Sequence, residues 1–278
     1  MSIHDGVAAL SAAVSGGAGS GASVFPPPLS IMGVSVVPFE SYSQAVACVE
    51  KAVAARRKTF CVAINPEKVY RAMNDPRLMA ALGEADFGIC DGIGIVLAAK
   101  VLHRQRIGRC TGCNLFFHLV ARGEEAGWRI FMLGASAASS ERACAELRRR
   151  HPGLRIVGRR DGFFEDSAEV VRQINASEAD VLFVAMGSPK QEFWIAEHRG
   201  EIQAPFCMGV GGTFDVLGGV AKRAPRFFCE TGTEFVYRLL CNPWRWRRQL
   251  ALPLFMMKVA VARMAWFGPR EKRVADTQ

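Results

Sequence analysis

Between Val181 and Asp215 the chain reads VLFVAMGSPKQEFWIAEHRGEIQAPFCMGVGGTFD. Two apolar runs, Val181–Met186 and Phe206–Val210, each end in a glycine-bearing turn, with a helical stretch between them. Short apolar runs bounded by turn signals and joined through a helix are the pattern of parallel strands in a βαβ unit. The first turn is Gly187-Ser188-Pro189-Lys190-Gln191-Glu192 and the second is Gly211-Gly212-Thr213-Phe214-Asp215. In open α/β sheets ligands sit outside the carboxyl ends of the strands, where both turns fall. Backbone N–H groups at glycine turns and helix starts suit an anionic phosphate. The stretch therefore reads as half of a cleft for a phosphorylated ligand.

Upstream, strand and helix patterns alternate from residue 31 to residue 210 and give about six strands, which predicts a parallel sheet flanked by helices. Ile31–Val37 reads as the first strand, Ser41–Arg57 as a helix capped by Ser41 or Ser43, and Thr59–Ile64 as a second strand. Asn65-Pro66-Glu67 opens a helix with proline at its first position. Phe87–Cys90 reads as a short strand running straight into Asp91-Gly92-Ile93-Gly94. A carboxylate so placed projects into the same crevice as the 187–192 turn; the plainer reading of Asp91 is a helix cap. Arg109-Cys110-Thr111-Gly112-Cys113-Asn114 contains a CxxC, but with no second CxxC and no histidine at ligand spacing it reads as a polar turn capping a helix over Asn114–Arg122. No GxGxxG follows a strand and there is no P-loop, so no dinucleotide cofactor or other resident cofactor is expected.

Charge divides the chain. Of the net +9, the segment from Lys222 onward holds 12 Lys and Arg against 4 Asp and Glu, or +8. The rest of the chain is nearly neutral, so the cationic tail calls for an anionic partner. Phe227–Leu240 reads as a helix, and Trp244–Phe267 as one long basic helix after Asn242-Pro243. Lys258, Arg263 and Pro253 within its apolar part argue against a membrane span and for a helix lying in the interface with tryptophan anchors; the alternative is a helix packed on the body or on a partner subunit. Residues 1–29, rich in Ala, Ser and Gly, read as a disordered lead-in, residues 30–221 as the α/β body and residues 222–278 as the basic appendage. The nine scattered cysteines and the lack of a secretion signal fit a reducing cytoplasm.

Taken together, Asn65-Pro66-Glu67, Asp91-Gly92-Ile93-Gly94, Ala185–Glu192, Gly209–Asp215 and Lys222-Arg223-Ala224-Pro225 resemble the motifs of the WecG/TagA/CpsF glycosyltransferases, in order and at similar spacing over about residues 31–250. The resemblance implies a variant Rossmann-like α/β fold and an inverting transfer of a sugar from a UDP-sugar to a polyprenyl-diphosphate-linked sugar, typically through a β-1,4 bond. N-acetylmannosamine, its uronic acid and glucose are all open as the donor sugar. The resemblance further implies work without a metal, on the inner face of the cell membrane, in surface or exopolysaccharide synthesis; it leaves a homo-oligomer open. By the same resemblance Asp91 is the general base, Gln191 contacts the sugar or diphosphate, Asp215 contacts the nucleotide, and Arg238 meets a diphosphate, joined by Arg245 and Arg248. Asn65, Thr111, Gly187, Lys190, Gly211 and Gly212 complete the expected substrate-binding set. One departure stands out: many members carry threonine where this chain has Ala63. Two other classes compete. A nucleic-acid-binding protein would leave the body's glycine turns without a role. A nonenzymatic nucleotide-sugar sensor would not need Asp91.

Overall fold

The computed structural model describes residues 25–222, 224–241 and 243–266, apart from the side chains of Arg226, Cys229, Glu230, Arg238, Arg245, Arg247, Arg248 and Trp266. The expected first strand is in fact an antiparallel hairpin, β1 (Leu29–Ile31) and β2 (Val34–Val36). Met32 and Gly33 both adopt positive φ, 53° and 88°, the backbone that a two-residue hairpin turn requires. Methionine is an unusual residue there, which is why the run reads as continuous. Residues 1–24 of the expected lead-in lie outside the described residues; Phe25 already packs on Phe87, with ring centroids 4.6 Å apart.

Next come α1 (Tyr42–Ala54), capped by the Ser41 hydroxyl, β3 (Thr59–Ile64), α2 (Pro66–Ala72), α3 (Pro76–Gly83) and β4 (Phe87–Cys90). They are followed by α4 (Ile93–His103), α5 (Gly112–Ala126), β5 (Arg129–Gly134), α6 (Ala137–Arg150) and β6 (Arg155–Arg160). The central stretch supplies α7 (Ser167–Ala176), β7 (Val181–Ala185), α8 (Lys190–His198), β8 (Phe206–Gly209) and α9 (Thr213–Leu217). The six strands from β3 to β8 form one parallel sheet in the order β4-β3-β8-β7-β5-β6. Inner strands are apolar throughout because successive side chains feed opposite faces. Phe60, Val62 and Ile64 of β3 join the core under α2, α4 and α8, while Cys61 and Ala63 join the core under α1, α5 and α6. Edge strand β6 has no second neighbour and alternates exposed with half-buried residues.

The C-terminal segment is more broken than its pattern suggests. Phe227–Leu240 divides into α10 (Arg226–Thr231) and α11 (Glu234–Cys241) at Gly232, whose φ of 76° ends a helix as a left-handed cap. The single helix expected over Trp244–Phe267 is a 3-10 turn at Pro243–Arg245, then α12 (Trp246–Gln249) and α13 (Ala251–Trp266), with Phe267 outside the described residues. Pro253 explains the break: it has no N–H to give Gln249, so it is accommodated only in the first turn of a new helix. One face of α13 packs on α2 and α4 and buries Ala251, Phe255 and Val259 in the body's core. Its Met257, Val261 and Met264 stay exposed, as do Trp244, Trp246 and Leu250 just before it. Among the described residues no helix is long and apolar enough to cross a membrane.

Candidate active site

A cleft open to solvent lies over the carboxyl ends of β3 and β4. Its floor carries Asn65, directly after β3, and Asp91, directly after β4. The Asp91 N–H donates to the Ile64 carbonyl at 2.8 Å, so the Asp91 backbone is still pinned as sheet. The cap position of α4 is Gly92, at φ 106°, and no side chain caps that helix. The helix-cap reading of Asp91 is thus replaced by a carboxylate that lines the cleft beside an uncapped helix start.

Asn65 works differently. Its Oδ1 accepts from the Lys68 N–H at 2.8 Å and caps α2, which leaves the amide donors of the side chain to offer a ligand. The loop before α5 runs alongside β4, with the Cys110 N–H donating to the Cys90 carbonyl at 2.8 Å, and brings Arg109 and Thr111 to the cleft. Thr111 is held by Tyr42: its N–H donates to the phenolic oxygen at 3.1 Å and the two hydroxyls lie 3.2 Å apart. Burial pushes the Cys90 and Cys110 thiols up to about 12, with the neighbouring Asp91 charge acting in the same direction. These cysteines are inert packing beneath the site, not nucleophiles. Among the described residues no group of three or more His, Cys, Asp and Glu is placed to hold a metal ion.

The far wall comes from the C-terminal segment through Gly232, Glu234, Phe235, Gln249 and Leu252. Contact there is close: a Cβ on Gly232 would lie 2.7 Å from Nη1 of Arg109, and one on Gly94 would lie 2.8 Å from the Leu252 side chain. Arg109 is the one basic residue among the described lining residues. The sequence reading did not single it out, because in sequence it is only one more arginine ahead of a CxxC. The backbones of Arg238 and Arg248 lie in α11 and α12, which contribute to this wall, and that of Arg245 lies in the 3-10 turn between them; their side chains lie outside the described residues.

The other expected site residues gather further along the same sheet edge, beyond the lining of the cleft. Gly187, Lys190, Gly211, Gly212 and Asp215 follow β7 and β8. Lys190 donates to the Gly162 carbonyl at 3.1 Å and is exposed. Asp215 accepts from the buried Ser139 hydroxyl at 2.7 Å, which fixes the carboxylate against the start of α6. Gln191 is 3% exposed and turned inward: its Nε2 donates to Glu192 and its Oε1 accepts from the Gly211 N–H, each at 3.0 Å. Ala63, at the position where a hydroxyl is usual, is outside the cleft lining; its Cβ sits 3.0 Å from where a Cβ on Gly112 would be. The missing hydroxyl therefore leaves no gap in the described cleft.

A carboxylate, an amide donor and a guanidinium lining one cleft at a sheet's carboxyl edge, with glycine turns further along that edge, can accept a proton and hold a diphosphate. The model of the glycosyl transferase WecG/TagA/CpsF family matches residues 29–268. An N-acetylglucosaminyldiphosphoundecaprenol N-acetyl-beta-D-mannosaminyltransferase of Bacillus spizizenii is 40% identical over 200 residues, covering 72% of this chain and 78% of the relative. A Bacillus subtilis protein of the same name is 33% identical over 196 residues, covering 70% and 77%. The chain is a glycosyltransferase and belongs to the WecG/TagA/CpsF family.

Proposed function

We propose that the protein transfers N-acetylmannosamine from its UDP derivative to N-acetylglucosamine carried on a polyprenyl diphosphate, with inversion to a β bond. The observation that carries the reading is Asp91, a carboxylate at a strand end that lines the cleft and does not cap the helix after it. In an in-line displacement at the anomeric carbon, Asp91 takes the proton of the acceptor hydroxyl as that oxygen attacks. The bond from carbon to the UDP oxygen breaks, and the diphosphate leaves with the electron pair. Arg109, the uncapped start of α4 and the arginines Arg238, Arg245 and Arg248 stabilise diphosphate charge, the role a metal plays in other sugar transferases. Asn65 and Thr111 orient the sugar beside Asp91. Gly187, Lys190, Gly211, Gly212 and Asp215 hold the nucleotide end of the donor. Gln191, expected from the family resemblance to touch substrate, is given a different part: it holds the Gly211 turn.

The names of the relatives favour the N-acetylated sugar over glucose. The cleft's acidic lining, Glu67, Asp91 and Glu234 against Arg109 among described side chains, favours an uncharged sugar over a uronic acid. The linkage is the β-1,4 bond typical of the family. The protein works at the inner face of the cell membrane, docked through the exposed apolar side of α13 and the basic residues around it, in building a surface polysaccharide.

The test is a donor panel. UDP-N-acetylmannosamine, its uronic acid and UDP-glucose are offered with a polyprenyl-diphosphate N-acetylglucosamine acceptor, and products are read by mass and by linkage analysis. Disaccharide is expected from the first donor alone. Preferential transfer from either of the others overturns the sugar assignment, and no transfer from any donor overturns the reaction.

A further inference from the structure

A chain of buried polar contacts runs beneath the site and belongs to no part of the proposed chemistry. Lys68, Glu192 and Gln191 are 5%, 1% and 3% exposed. The Lys68 ammonium donates to Glu192 Oε1 and to the Ala63 carbonyl, both at 2.7 Å. Glu192 Oε1 also accepts from Gln191 Nε2 at 3.0 Å, and Gln191 Oε1 accepts from the Gly211 N–H at 3.0 Å. At the other end, the N–H of the same Lys68 is what Asn65 caps. The chain thus ties the Asn65 turn after β3 to the Gly211 turn after β8, two neighbouring strands of the sheet.

Two features show that this is not packing that any residues would satisfy. A buried ion pair is weak evidence of stabilisation, since apolar residues of similar volume do as well or better in its place. Here the second carboxylate oxygen, Glu192 Oε2, is buried with no hydrogen-bond partner among the described residues, a further penalty the fold carries. Gly209 is also constrained, because a Cβ there would lie 2.4 Å from Gln191 Nε2. The strand gives up a side chain to let the amide through.

We infer that the buried Lys68–Glu192–Gln191 network is a positioning device that fixes the Gly211 turn relative to Asn65, and so the donor's diphosphate relative to the acceptor hydroxyl. The inference rests on the transferase reading above. None of the three residues is a catalytic residue: they act through Asn65 and Gly211. Each half-site keeps its own contacts when the network is cut, so substrates still bind but no longer meet in line. An offset of about 1 Å between reacting groups can lower turnover by about 100-fold.

The test replaces both charges at once with Lys68→Met and Glu192→Gln, which leaves no unpaired charge and keeps an acceptor for Gln191. The expected result is kcat at least about tenfold lower with KM for the UDP-sugar and Kd for UDP within about threefold, a split that a purely structural role would not produce. Amide exchange, which needs no turnover, is read in parallel: Gly211 exchanges faster in the double variant while the β7 and β5 amides keep their protection. A folded double variant with kcat within about twofold of the parent, or with unchanged Gly211 protection, overturns the inference. If the double variant does not fold, Glu192→Gln alone is judged by the same two readouts. If the parent protein transfers no sugar, the transferase reading fails, and Gly211 exchange alone decides whether the network holds the turn.

Discussion

The turn after β4 and the turn after β7 stand on the same edge of one sheet, and both pair glycine with a polar residue that a motif reading would assign to substrate. At the first, Gly92 takes the cap position of α4 and Asp91 lines the cleft. At the second, Gly187 makes the turn with φ 77° and Gln191 points into the core, where it holds the Gly211 N–H. The two side chains sit differently, one lining the cleft and one buried, because of what surrounds them. Beside Asp91 are the buried thiols of Cys90 and Cys110. Beneath Gln191 is the Lys68–Glu192 pair, whose carboxylate accepts from the Gln191 amide, while the Gly211 N–H donates to the Gln191 oxygen. A motif marks a place where the chain is constrained; whether the constraint serves substrate or scaffold is set by neighbours distant in sequence.

The largest effect that would break this comparison belongs to Asp91. Asp91→Asn keeps the shape and removes the base, so kcat is expected to fall about 10²- to 10⁴-fold with an unchanged melting temperature. Turnover near that of the parent enzyme would remove Asp91 from the chemistry and leave both turns structural. Next is Arg109→Ala, expected to lower kcat about 10- to 100-fold; Arg109→Lys should recover only part of it, since an ammonium cannot offer the planar fork of donors. Equal activity in Arg109→Lys and the parent would mean that only net charge matters there.

Much of this arrangement was legible beforehand, for a definite reason. Parallel strands buried on both faces are apolar throughout and end in glycine or Asn-Pro turns, so β3, β4, β7 and β8 announce themselves and their carboxyl ends locate the site. What escaped the sequence was whatever depends on a single backbone angle or on a contact across the fold. Met32 in the left-handed region turns one expected strand into a hairpin. Gly232 divides one helix into two, and by lacking a Cβ it lets Arg109 reach the cleft wall. The Ala63 position looked like a lost ligand contact, yet its side chain faces Gly112 on the other side of the sheet from α2. Gln191 looked like a substrate contact because nothing in the local sequence reveals Lys68 beneath it.

The comparison extends to the two faces of α13. Phe255 and Val259 are buried in the body's core and Leu252 lines the cleft, while Met257, Val261 and Met264 are exposed. Cutting the chain after Cys241 would therefore strip core and cleft wall together and could not separate docking from catalysis. Met257→Asp with Met264→Asp touches only the outer face. Burying a methionine side chain is worth about 1.5–3 kcal/mol, so partition onto anionic vesicles is expected to weaken at least about tenfold. Turnover with a short-chain, water-soluble acceptor should stay within about twofold of the parent. Undiminished vesicle binding would move the docking surface elsewhere; lost turnover on the soluble acceptor would mean that the outer face also shapes the cleft.

The smallest expected effect is that of chelation, and it sharpens the reading of Asp91 most. Glu67, Asp91 and Glu234 all line the cleft, so a carboxylate there has two chemically distinct uses: to accept the acceptor's proton or to help bind a divalent cation. The two uses differ in what balances the departing diphosphate. If protein cations do it, the basic C-terminal segment, +8 from Lys222 onward, supplies them and excess EDTA should change kcat less than about twofold. If a cation does it, EDTA abolishes turnover, Mg²⁺ or Mn²⁺ restores it, and Asp91→Asn raises the metal concentration needed for half-maximal activity. Measuring the metal dependence of the parent and of Asp91→Asn side by side therefore separates base from ligand. Loss in EDTA with rescue by metal would turn the Asp91 turn from the place where a proton is taken into the place where charge is neutralised, and Arg109 would then be the wall's contribution to orientation alone.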